Sequence, residues 1–159
     1  MSTLKVNRIE PRTGDSVEIV GFGGGGKILQ VVVGHFPIEG TVSPTGSLVK
    51  TEVKVSITPS SVNSRVMLHM NSGSMVAVTG RSLMTGFFRD DTLLDGSGSW
   101  ESSDVSMVRP HSVSWVDSPN TTSEVTYTLG VDANGSTVYW SQYDSKGRAI
   151  QLIAMEIGE

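Results

Sequence analysis

Apolar and polar residues alternate along most of this chain, in short runs separated by turn residues. The clearest run is LVKTEVKVSI, residues 48–57, with Val49, Val53, Val55 and Ile57 on one face and Lys50, Glu52 and Lys54 on the other. A period of two with one charged face predicts a half-buried β-strand. SRVMLHM, residues 64–70, repeats it, with Val66, Leu68 and Met70 opposite Met67 and His69. Further strands are predicted over 74–79, 83–89, 105–116, 123–131, 136–143 and 149–157, and the β-branched run from Lys27 to Val33 predicts another. Thr58-Pro59-Ser60-Ser61, Pro119-Asn120, Asn134-Gly135 and Lys146-Gly147 supply turns. Asn-Gly between alternating runs is a hairpin signal, because both turn positions favour positive φ. No window carries an apolar stripe of helical period. About nine short strands with this turn chemistry predict an all-β protein, an antiparallel two-sheet sandwich of jelly-roll-like form.

The pattern is interrupted near the start. Residues 21–26, GFGGGG, are five parts glycine to one part phenylalanine, too flexible for a packed strand. They divide a short stem, residues 1–20, from a globular head, residues 27–159, and read as a joint between the two. In the stem, Leu4 and Val6 alternate with polar residues, Pro11 to Gly14 mark a turn, and Val17 and Ile19 alternate again. Two such strands alone are marginal in water. Leu4, Val6, Ile9, Val17 and Ile19 therefore predict an oligomer or docking seam, with copies of the chain as the most economical partner. Gly21-x-Gly23-x-x-Gly26 formally matches a dinucleotide fingerprint, but that motif opens a helix and here a β-type run follows. The glycines read as a linker.

Composition narrows the function. The 159 residues suffice for one domain with a core and an appendage. A net charge of −4 speaks against a general nucleic-acid binder. With no cysteine, disulfides, thiol chemistry and cysteine-ligated zinc are excluded. No apolar run reaches the roughly 20 residues of a membrane span, so no membrane insertion is expected. The first residues lack the apolar core of a signal peptide, and synthesis in a cytoplasm is expected.

Little in the sequence suggests catalysis. His35, His69 and His111 fall in separate segments without ligand spacing, so no metal or other cofactor is expected. Asp90, Asp91 and Asp95-Gly96 suggest a calcium loop, yet Leu93 stands where an oxygen ligand is needed. They read as turn acids. No nucleophile elbow occurs, and the chain is predicted not to be an enzyme. One stretch stands out as a binding loop: residues 95–104, DGSGSWESSD, small and polar apart from one indole. Trp100 there could stack on a sugar face while Asp95, Ser99, Glu101 and Asp104 hydrogen-bond ring hydroxyls. A glycan is the candidate partner.

Several stretches resemble one family in order along the chain: GKILQVV (26–32), VSITPSSVNSRVML (55–68), FFRDDTLL (87–94), SWVDSPNTTSEVTYTL (114–129) and IQLIAMEI (150–157). They are similar to the globular domain of bacteriophage tail-fibre and related virion structural proteins. The opening STLKVNRIEPRTGDSVEI resembles the short module that often precedes it. The resemblance implies a non-enzymatic component of the virion, commonly a homotrimer, that docks on another virion protein through its stem and contacts the host surface. A single stem module with no shaft also suits a capsid decoration or head-fibre protein. A small surface glycan hydrolase is a third, different class.

Overall fold

The computed structural model describes residues 26–36, 40–43, 46–77, 81–103, 107–133, 137–140 and 150–158. The stem seam Leu4, Val6, Ile9, Val17 and Ile19, nearly all of the glycine joint and Asp104 lie outside these residues. The described chain is all β, with eleven strands. They are β1 (Ile28–Phe36), β2 (Gly40–Val42), β3 (Val49–Ile57), β4 (Arg65–Ala77), β5 (Arg81–Arg89), β6 (Thr92–Leu93), β7 (Ser99–Ser103), β8 (Met107–Asp117), β9 (Val125–Asp132), β10 (Val138–Trp140) and β11 (Ile150–Ile157).

Eight of them build two antiparallel four-stranded layers, in the orders β1-β11-β4-β8 and β3-β9-β5-β7. Along the chain, successive long strands cross between layers, except for β5 and β7, which share one. Two Greek keys wound in this way define a jelly roll. The short strands extend the layers. β10 joins β4 at Met75 and Val76, on the edge that β11 has left, and β2 pairs with β10. β6 pairs with the end of β5.

Alternation drives the packing. On β3, Val53, Val55 and Ile57 are buried while Glu52, Lys54 and Ser56 are exposed. Leu68 and Met70 of β4, Phe87 of β5, Tyr127 and Leu129 of β9 and Leu152 of β11 fill the space between the layers. Each buried aliphatic or aromatic side chain of this kind contributes about 1.5–3 kcal/mol relative to exposure.

Two strand expectations change. The predicted strands at 64–70 and 74–79 are one strand, β4, broken in register between Ser72 and Met75. Three residues there span two on β8, and the bulge reverses which parity faces inward. Val66, Leu68, Met70 and Ser72 are buried before it and Met75 after it. A fixed period of two cannot be followed across such a bulge. The predicted loop over 95–104 is also corrected. Ser99–Ser103 form β7, and residues 95–98 before it are the turn.

Candidate functional site

The sandwich carries an open cleft of about 260 Å³ at the edge of β5. It exists because one edge of β5 is shared by two strands with a gap between them. β6 pairs at Phe88 and Arg89, whereas β7 pairs from Arg81 to Thr85. Between these contacts residues 94–98 leave the sheet. Three bonds fix their path: the Leu94 amide donates to the Phe87 carbonyl at 2.9 Å, the Ser97 amide to the Leu94 carbonyl at 3.0 Å, and the Phe87 amide to Ser97 Oγ at 2.8 Å. The Ser97 hydroxyl thus replaces the missing strand at Phe87, and it is buried. The chain then returns so close to β5 that a Cβ on Gly98 would stand 1.8 Å from the Thr85 carbonyl oxygen.

Gly86 sits at the cleft, where a side chain would meet Leu48 and approach Leu93. Leu48, Met84, Leu93 and Leu94 supply apolar wall, and Asp95 and Ser97 supply oxygen atoms. Met84, Leu93 and Asp95 are exposed, so the rim is open to solvent. Lys50 pins the neighbouring hairpin. Its ammonium donates to the Asp90 carbonyl and to Asp91 Oδ1 at 2.6 Å, and lies 5.4 Å from the centre of the Phe88 ring. That hydrogen bond, then the lysine's charge, holds the Asp91 carboxyl below the usual carboxylate range. Asp90 turns the hairpin at φ 50° and caps it by accepting the Thr126 amide.

Of the five sequence-predicted binding residues, Asp95 lines the cleft. Ser99, Trp100 and Glu101 follow it on β7, as register partners of Thr85, Met84 and Leu83. Trp100 therefore stands beside a residue of the cleft wall. Leu48, Met84, Leu93 and Leu94 are absent from the predicted binding set, because Leu48 comes from the segment just before β3 and the rest read as ordinary strand or turn positions; Ser97 falls inside the predicted loop 95–104 but is not among its named contacts. The signal that could have found them is Gly86, an isolated glycine in an apolar strand, which marks a bulge or a close approach.

Polar groups elsewhere are absorbed by the fold. Buried Glu156 accepts from the Ser60 amide and hydroxyl at 2.7 and 2.6 Å and from Gln30 Nε2 at 2.6 Å. Desolvation pushes its pKa up, but these hydrogen bonds, led by Ser60, outweigh it and hold the carboxyl at about 2. Arg89 Nη1 reaches both Asp117 oxygens, at 3.1 and 2.9 Å, and the Tyr127 hydroxyl donates to the same carboxylate at 2.7 Å. Burial, and then that bond, push the Tyr127 phenol far above its ordinary value. His111 Nε2 lies 3.1 Å from Thr85 Oγ1 and ties one layer to the other behind the cleft. His69 Nδ1 lies 2.8 Å from Ser114 Oγ. Among the described residues no three His, Cys, Asp or Glu side chains converge as a metal site would require.

Comparison with known proteins adds no relative: no family model matches the chain, and no curated protein matches it at a significant level.

Proposed function

We propose that this chain is a non-enzymatic structural protein of a phage particle, a small oligomeric fibre or knob. Its stem, residues 1–20, attaches to another virion protein, and its head adheres to a host-surface glycan. The observation that carries the adhesive part is the cleft beside β5, where apolar wall from Leu48, Met84 and Leu93 meets the Asp95 carboxylate and Trp100 follows in register. A sugar ring offers the same two surfaces, an apolar face and a rim of hydroxyls. The volume falls just under the roughly 300 Å³ at which small-molecule pockets begin, which suits one ring better than an extended chain. The jelly roll supports the particle setting, since capsid and lectin domains use it. Fold alone does not assign function, so the site carries the weight.

A hydrolase reading has less behind it. Glycoside hydrolysis uses a pair of carboxyl groups about 5–10 Å apart, and Asp95 is the single carboxylate among the described lining residues. The test is adsorption of purified protein to host cells and to their extracted polysaccharide, with reducing ends assayed in parallel. Binding without new reducing ends is expected. Trp100→Ala should weaken it by roughly 1–3 kcal/mol, by analogy with aromatic stacking on nucleic-acid bases. Undiminished binding by Trp100→Ala and by a cleft-filling Gly86→Val variant would sink the adhesive site. Release of reducing ends would make the protein an enzyme.

A further inference from the structure

The two outer faces of the sandwich differ in kind. On the layer β3-β9-β5-β7, the outward positions Glu52, Lys54, Ser56 and Thr126 are charged or hydroxylated, and exposed Met84 stands at the cleft on β5. On the layer β1-β11-β4-β8, an apolar row crosses all four strands. Val31 is the register partner of Met155, Met155 of Met67, and Met67 of Val116. Each alternates with a residue turned toward the core, so the four side chains share the outer surface. Val31 is 52 % exposed and Val116 45 %, and Leu29 and Val33 beside Val31 are 48 % and 53 % exposed.

We propose that this face is the surface on which copies of the chain associate, turned inward toward the axis of the oligomer. Three observations favour another copy as occupant. The face has a polar border, His69 opposite Ser114 and Asn71 opposite Ser112, the plan of an interface with an apolar centre and a wet rim. Arg65, at the corner beside Ile157, is the one Lys, Arg, Asp or Glu among its described outward positions, so identical faces meet without like charges opposed across the centre. Its size is of the right order as well. Four strands about 4.8 Å apart, over about 24 Å of length, make roughly 450 Å² of flat sheet per copy. Two copies then cover about 900 Å² before side-chain relief is added, close to the roughly 1,200 Å² at which stable interfaces begin. The inference deepens the reading of an oligomeric particle protein, but does not depend on what the cleft binds.

The test uses the full chain, whose lack of cysteine makes any introduced thiol unique. Val31→Cys reports on the apolar face and Lys54→Cys on the opposite one. With the protein at micromolar concentration, maleimide labelling of Val31→Cys should be at least roughly tenfold slower than that of Lys54→Cys, as protection by association requires, and should rise on dilution. Sedimentation should give an oligomer for the parent chain and for Val31→Leu, and a folded monomer for the double variant Val31→Lys, Val116→Lys. Both sites are exposed in the single chain, so lysine there leaves the fold intact, as circular dichroism will check. A parent chain that sediments as a monomer overturns the proposal, whether Val31→Cys labels fast or is shielded by the chain's own first residues. So does an oligomer that the two lysines leave intact. Failure of glycan adsorption touches none of these readings.

Discussion

Glu156 is a buried carboxylate at an inward position of β11, in line with Ile150, Leu152 and Ala154. It survives there because Ser60 and Gln30 supply donors to both of its oxygens. The consequence for stability has a definite sign. The folded pKa of about 2 lies below the ordinary 4.5, so the unfolded chain binds more protons between those values and stability rises with pH across them. The contribution is fully present above about pH 4.5 and is lost as pH falls through 2. Allowing for screening by nearby water, it amounts to about 1–2 kcal/mol. Thermal melts of the parent chain should therefore fall between pH 5 and pH 2 more steeply than those of Glu156→Gln; parallel curves would show that the carboxylate is not held as described. Asp117 presents a second case, a carboxylate shared by Arg89 and the Tyr127 hydroxyl. Asp117→Ala strands both donors and should cost about 3 kcal/mol in chemical denaturation, against about 1 kcal/mol for Tyr127→Phe. Neither cluster was legible in the sequence, since their members lie far apart and meet only in the fold.

Strands were legible where alternation was clean and opaque where register shifts. The edges of β3, β8, β9 and β11 fall within about two residues of those expected from period and turn residues, the usual scatter of such boundaries. The bulge in β4 hid one strand as two, and the small polar composition of Ser99–Ser103 hid β7 as loop. In IQLIAMEI both parities are largely apolar, so hydrophobicity alone could not tell which faced the core. The inward set contains Glu156 and the outward set contains Ile153, Met155 and Ile157, an inversion that makes sense if the outer face is itself covered. At the β5 edge, two glycines separate fold from site. Gly98→Ala places a methyl group against the Thr85 backbone, which cannot yield without moving the strand. It should cost roughly 2–4 kcal/mol and lower the melting temperature. Gly86→Val is different, because a Cβ there first meets the end of the Leu48 side chain, at 3.0 Å. That variant should lose no more than about 1–2 kcal/mol while its branched side chain occupies the cleft. Equal destabilisation by the two would mean that Gly86 is a structural glycine and the cleft a by-product of packing.

At the scale of the molecule, the cleft and the apolar face belong to different layers, β3-β9-β5-β7 and β1-β11-β4-β8. Substitutions that share no partners act independently to within about 0.5 kcal/mol, so binding and assembly should separate by mutation. On the proposed function, adsorption would depend on both. A shallow cleft that takes a single ring binds weakly, and several copies on one particle or oligomer raise the effective affinity by about 10²–10⁴ without a new contact. Gly86→Val should abolish adsorption and leave the sedimentation coefficient unchanged. Val31→Lys with Val116→Lys should give a monomer that binds a soluble glycan fragment with the parent affinity, measured by calorimetry, yet adsorbs to cells about 10²–10⁴-fold less well. Crosslinking that monomer onto a multivalent carrier should restore adsorption, because only the number of linked sites was lost. If the monomer instead loses affinity for the soluble fragment, the binding site spans two copies. The cleft described here would then be half of it.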